Sequence, residues 1–136
     1  MKKKTIKLFQ RIAAQALRPL PNLSVSDWAD QYRMLSSESS AEPGRWRTDR
    51  APYQRDIMDA FTDLRIRRVV VMSCSQVGKS DVMNNVIGRF AHLAPAPILM
   101  IQPTVDMAQD YSKSRIAPMI RDTKALRDIF RDEIGR

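Results

Sequence analysis

A short, continuous apolar run, Val69-Val70-Val71-Met72, leads directly into Ser73-Cys74-Ser75-Gln76-Val77-Gly78-Lys79-Ser80. Behind it, Val82, Val86, Ile87, Phe90 and Leu93 recur at helical spacing. A β-branched run without polar alternation reads as a strand buried on both faces, the signature of a parallel sheet. A strand that passes through a tight loop into an amphipathic helix is the first half of a βαβ unit. The second half follows: Pro95-Ala96-Pro97 stops the helix, and Ile98-Leu99-Met100-Ile101 supplies another buried run. The order strand, loop, helix, strand, helix predicts an α/β fold with a parallel-sheet βαβ core, crossing over right-handed.

The loop between the first strand and the helix carries chemistry. A triphosphate needs inward-pointing backbone N–H groups, an ammonium near its β and γ phosphates and a hydroxyl for Mg²⁺. Residues 73–80 offer all three, with Ser73, Cys74, Ser75, Gln76 and Val77 as the cradle, Gly78 for close backbone approach, Lys79 as the ammonium and Ser80 as the hydroxyl at the metal. The pattern departs from G-x-x-x-x-G-K-[ST] at its first glycine, where Ser73 stands. ATP with Mg²⁺ is the expected ligand, and a strand-to-helix turn with an exposed lysine is the bland alternative. Cys74 is either a small filler or a thiol made reactive by helix-end N–H groups.

Around this core the elements are legible at lower resolution. Phe9, Ile12, Ala13, Ala16, Leu17 and Leu20 predict an amphipathic helix between Thr5 and Pro19. Ser24 or Ser26 caps a short helix through Asp27-Trp28-Ala29-Asp30-Gln31-Tyr32. Residues 36–48 have the Ser, Pro and Gly density of an irregular surface loop. Pro52 suits a first helical position, and Tyr53, Ile57, Met58 and Phe61 make the stripe of a helix ending near Asp63. Thr104 caps a helix through Val105, Ala108, Tyr111 and Ile116, and a last helical stretch runs through Leu126, Ile129 and Phe130. The division expected is an N-terminal helical and linker segment, 1–50, ahead of the ATPase portion, 51–136.

Three further features have two readings each. Gln54 presents an amide edge able to read adenine, or is an ordinary exposed helical glutamine. Trp46, between Arg45 and Arg47, stacks on a base or anchors its loop as a buried indole. Gln102-Pro103-Thr104 lies at the C-terminal end of the second strand, the edge where α/β sheets bind ligands, or is a plain strand exit.

Charge and composition narrow the class. The 136 residues carry a formal net charge of +8, with a sequence pI near 10.1, which favours a polyanion such as nucleic acid or an anionic membrane surface. One cysteine and one histidine rule out an internal disulfide and a cysteine- or histidine-rich metal cluster and fit a reducing, cytoplasmic setting. No run approaches the roughly 18 apolar residues of a membrane span, and Lys7, Gln10 and Arg11 break any signal-peptide core.

Taken in order, Trp28-Ala29-Asp30, Glu42-Pro43-Gly44-Arg45-Trp46, Pro52-Tyr53-Gln54-Arg55-Asp56-Ile57-Met58, Ser75-Gln76-Val77-Gly78-Lys79-Ser80 and Ile101-Gln102-Pro103-Thr104 resemble the large terminase subunit of tailed phages, in its GpA-like branch. The resemblance covers roughly residues 20–130. It implies an incomplete P-loop NTPase fold preceded by a helical segment, and an ATP-driven motor that threads double-stranded DNA into a capsid inside the bacterial host. A terminase small subunit and a portal would be its partners, and a ring its working assembly. Phosphate loops of this family often lack the first glycine. The resemblance places the adenine-side glutamine at Gln54, the catalytic lysine at Lys79, the metal hydroxyl at Ser80 and a strand-exit motif coupling nucleotide state to DNA at Gln102-Pro103-Thr104.

The family's acidic Walker B strand and nuclease domain have no counterpart in these residues. Asp132-Glu133 follows only Ile129-Phe130-Arg131 on an apparent helix, so the stretch is expected to bind nucleotide without turning it over alone. Another P-loop ATPase or kinase, a non-enzymatic basic DNA-binding module and a truncated prophage remnant remain as alternatives.

Overall fold

Ser24 begins the first helix as the residue type predicts. In the computed structural model, which describes residues 21–38 and 40–130, its Oγ accepts from the Asp27 N–H at 3.2 Å, and α1 runs Val25–Tyr32 with Asp27 in the first turn. Ser26 then binds forward, its N–H and Oγ donating to the Asp59 carboxylate at 3.0 and 2.9 Å. Asp59 ends α2, Tyr53–Asp59, which continues as a 3₁₀ turn over Ala60–Thr62. A carboxylate is unfavourable at its own helix's C-terminus, and its place beside the N-terminus of α1 reverses the sign of that interaction.

The centre of the fold is α3, Lys79–Leu93, which buries Val82, Val86 and Leu93 against Val25, Trp28 and Ala29 of α1, Met58 of α2, and Met119 and Leu126. Each fully buried side chain of this size contributes roughly 1.5–3 kcal/mol. Trp28 is wholly buried, and its ring lies against α3 at Gly88, where a Cβ would come within 2.3 Å of the ring. The indole Nε1 donates to His92 Nδ1 at 3.0 Å, and Tyr32 meets the same imidazole edge-on with ring centroids 5.0 Å apart.

Residues 36–48 are more ordered than their composition suggests. Met34–Leu35 (β1) pairs antiparallel with Gly44–Arg45 (β2), and a 3₁₀ turn covers Thr48–Arg50. The Trp46 N–H continues the pairing by donating to the Arg33 carbonyl at 3.0 Å. Chain-specific tethers outweigh the loop composition here: Arg45 Nε donates to the Asp30 carbonyl at 2.9 Å, and Asp30 Oδ1 accepts from the Thr48 N–H.

The predicted strands at 69–72 and 98–101 are where the structure departs from the sequence reading. Neither segment forms a helix or a strand, and among the described residues β1–β2 is the only sheet. Met72 is 94% exposed, Leu99 85% and Ile101 81%. A strand exists only through a paired neighbour, and a crossover does not oblige its two strands to lie side by side. Periodicity reads burial potential in these residues, while the described chain supplies no strand beside either one. The fold is thus mixed α/β, with a helical body, a small two-stranded sheet and two apolar segments outside any sheet among the described residues.

Beyond the second segment, Thr104 Oγ1 accepts from the Met107 N–H at 3.2 Å and opens α4, Val105–Tyr111. The helix widens into a π turn over Ser112–Ile116 and resumes as α5, Ala117–Asp122, before the short α6, Lys124–Arg127. Pro118 explains the wide turn, since its ring has no N–H to give and crowds the carbonyl four residues back. The helix expected between Thr5 and Pro19, and Asp132-Glu133, lie outside the described residues.

The Trp28–His92 bond gives the fold a pH dependence. Nδ1 accepts only while unprotonated, and burial holds the imidazole below its ordinary 6.5. A depressed folded value means the contribution is whole above about pH 6.5 and is lost as pH falls through the folded value. The urea midpoint is expected to drop between pH 7.5 and 5, with the drop reduced in His92→Gln. Asp63, held at about 2 by its Arg65 hydrogen bonds, and Asp122, lowered chiefly by Arg121, titrate below this window. An equal drop in both proteins would remove His92 as the cause.

Candidate functional site

The loop from Ser73 to Gly78 enters α3 through two left-handed residues, Gln76 at φ 61° and Gly78 at φ 80°. A side chain at φ near +80° costs about 1–2 kcal/mol, which glycine avoids. Gly78 is also where another chain segment comes close, since a Cβ there would lie 2.4 Å from Gln54 Nε2. The Gly78 carbonyl accepts from the Asp81 and Val82 N–H groups at 3.0 and 3.1 Å, and this starts the helix.

Lys79, the first residue of α3, turns back over the loop it closes. Its Nζ donates to the carbonyls of Ser73 at 3.2 Å and Cys74 at 2.6 Å. The ammonium thus stands across the start of the loop, near the N-terminus of a 15-residue helix whose first-turn N–H groups are only partly engaged, those of Asp81 and Val82 by the Gly78 carbonyl. Ser75, Gln76 and Ser80 are exposed, as is Cys74, so the cysteine is not a packed filler.

The loop is held from α2. Gln54 is 4% exposed and donates through Nε2 to the Val77 carbonyl at 2.9 Å, and the Tyr53 hydroxyl donates to the same oxygen at 3.1 Å. This corrects the reading of Gln54 as an exposed helical glutamine. Its Oε1 is the one buried side-chain polar atom among the described residues without a hydrogen-bond partner, an arrangement that is rare for a buried amide. Gln54 borders a cavity of about 390 Å³ whose walls are Tyr53 and Ile57 of α2, Phe61 of the 3₁₀ turn that follows it, Val69 and Val71 of the segment before the loop, and Val82 and Met83 of α3. On its other flank the loop faces a cavity of about 540 Å³ that carries Arg45, Arg47, Arg50 and Asp81. Trp46 borders the same cavity, yet it is 8% exposed, joins the core and donates from Nε1 to Thr48 Oγ1 at 3.0 Å, which favours the loop-anchor reading.

A buried polar cluster under the first turns of α3 has no forecast in the sequence reading. Arg33, with its side chain 2% exposed, donates from Nε to Asn85 Oδ1 at 3.2 Å and stands 3.8 Å from the Asp81 carboxylate. Burial pulls its guanidinium below the ordinary range, and Asp81 is the largest opposing influence. Asn84 Oδ1 accepts from the Tyr111 hydroxyl at 2.8 Å. Two adjacent asparagines in the middle of an apolar helix were the available signal, because Asn disfavours helix interiors unless its side chain is engaged.

The model of the phage terminase large subunit gpA ATPase domain matches residues 40–136. The chain belongs to this family. It is 35% identical over 119 residues to the terminase large subunit of Escherichia phage lambda and 34% identical over 111 residues to that of Enterobacteria phage P21, which cover 87% and 82% of this chain. The chain spans 18% and 17% of those relatives' lengths. No solved structure matches it. Among the described residues of this terminase-family chain no group of three or more His, Cys, Asp or Glu could hold a metal ion, and no helix is long and apolar enough to cross a membrane.

Proposed function

We propose that residues 73–80 bind the phosphates of ATP, as the nucleotide-holding front of a terminase ATPase that drives DNA packaging. The observation that carries the reading is the Lys79 ammonium folded across its own loop at the N-terminus of α3. Phosphate oxygens would take over from the two carbonyls that now accept from Nζ, while loop N–H groups and the helix end supply the rest of the anion site. The Ser80 hydroxyl is exposed at the same end and is the group proposed for Mg²⁺, a cation that keeps most of its water and leans on phosphate oxygens and so needs no cage of carboxylates. Gln54 Oε1, buried and without a partner, is proposed to accept from the exocyclic amino group of adenine.

Hydrolysis needs an acidic group to hold the metal and orient water, and no apolar strand ending in Asp-Glu occurs in these residues. The proposal for this stretch is therefore binding. Packaging of double-stranded DNA, with a terminase small subunit and a portal as partners and a ring as the assembly, is proposed from family membership, and the net charge of +8 supports a polyanionic partner.

The test is titration of a fluorescent ATP analogue with Mg²⁺ against this chain and its Lys79→Ala variant. Loss of a charge-assisted contact worth about 1.5–3 kcal/mol predicts at least tenfold weaker binding. Equal affinity for two equally folded proteins would sink the proposal.

A further inference from the structure

Helix α4 begins directly after Gln102-Pro103-Thr104 and touches the candidate site at one residue. Val105–Asp110 are exposed along their length, and no residue of α4 is buried. Tyr111, its last residue, reaches back to α3: its hydroxyl lies 3.2 Å from the Ser80 carbonyl and 2.8 Å from Asn84 Oδ1. Both are oxygen acceptors, so a single hydroxyl proton is shared between them, and the phenol ties together the first and second turns of α3. Burial, reinforced by Asp81, keeps that phenol protonated.

The partner it meets is built to receive it. Asn84 is 1% exposed, and an amide in that position is tolerated because its oxygen is engaged. Arg33 holds the same two turns from the opposite chain direction, through Asn85 and Asp81. The π turn that starts at Ser112 follows Tyr111 immediately and changes the phase of the helix. Pro118 and Met119 can then face the core while Tyr111 faces α3.

We propose that Tyr111 is a positioning residue for Ser80, through which the helix opening at Thr104 fixes where the serine hydroxyl stands. The assignment rests on the reading of the loop as a phosphate site with Ser80 at the metal. Tyr111 touches no ligand; it acts on the backbone that carries one. A shift of α4 along its axis moves the phenol off the Ser80 carbonyl and loosens the first turn of α3, which is otherwise held by the Asp81 and Val82 N–H bonds to the Gly78 carbonyl. Occupancy of the loop and the placement of α4 thus become linked properties.

The test uses the full chain with Tyr111→Phe, which keeps the ring and removes the hydroxyl. Amide hydrogen exchange at Asp81–Asn84 is expected to rise about threefold to tenfold, the range for one hydrogen bond, with no change at Phe90–Leu93 near the other end of the same helix. Affinity for the fluorescent ATP analogue is expected to fall by a similar factor with Mg²⁺ and to stay the same in EDTA. Unchanged exchange at Asp81–Asn84, or an equal loss of affinity with and without Mg²⁺, would overturn the assignment, the second because it marks general damage to the fold. Should the unmodified chain bind no nucleotide, the phosphate reading falls separately, and the exchange result still decides whether Tyr111 holds the turn.

Discussion

Replacing Trp28 by alanine is expected to lower the unfolding free energy by about 3–5 kcal/mol, the range for emptying a buried aromatic site. The indole is wholly buried between α1 and α3, and the edge of its six-membered ring meets the helix at the one position, Gly88, that has no side chain to oppose it. Removing the ring leaves a void that α3 cannot close by moving inward, because Val82, Val86 and Leu93 already set its distance from the core. The bond to His92 disappears as well, leaving a partly buried nitrogen without its donor. Domains of this size are held by about 5–15 kcal/mol in all, so the variant would be unfolded at modest urea concentrations. Trp28→Phe is expected to recover part of the loss through packing without restoring the pH dependence. A Trp28→Ala midpoint within the error of the unmodified chain would contradict the packing of α1 on α3.

Gly78→Ala is expected to cost about 2–3 kcal/mol and to disorder the loop, from two sources that can be separated. An L-residue at φ 80° costs about 1–2 kcal/mol by itself. The added Cβ would lie 2.4 Å from Gln54 Nε2 and would drive that amide off the Val77 carbonyl, a bond worth about 0.5–1.5 kcal/mol. In a Gln54→Ala background the steric part vanishes and the backbone part stays, so the two substitutions together should cost less than their sum. Strict additivity, measured by urea titration of the four proteins, would show that Gln54 does not press on the loop.

The local signals in this sequence were read correctly where the deciding interaction lies within a few residues. Ser24 and Thr104 cap their helices because a hydroxyl three residues from an N–H is enough, and Val82, Val86 and Leu93 face the core because the period of α3 puts them there. Signals that depend on a distant partner misled or stayed silent. The apolar runs at 69–72 and 98–101 specify what each segment would bury, and pairing is a property of two segments together. Gln54 stands in the sequence between an adenine-reading amide and an exposed helical glutamine, and only the fold, which buries it against Gly78, removes the second reading. Arg33 and Tyr111, 78 positions apart in the chain, converge on neighbouring asparagines, and no window along the sequence contains both. The resemblance to terminases reached further than periodicity because it carries the order of several motifs, and family membership bears it out.

If residues 73–80 hold phosphate as proposed, the lysine lying across its own loop sets a threshold of charge for what enters. Two of the three ammonium protons already point at carbonyl oxygens. A neutral molecule offers only another dipole in exchange and gains little by displacing them. A ligand with several negative oxygens offers full charge in place of partial charge, and charge-assisted hydrogen bonds are roughly twice as strong as neutral ones. The resting lysine therefore works as an internal competitor, which weakens every ligand and weakens singly charged ones most. On the proposed phosphate reading, selectivity for polyanionic groups would follow from the loop's own carbonyls, before any contact with sugar or base is made.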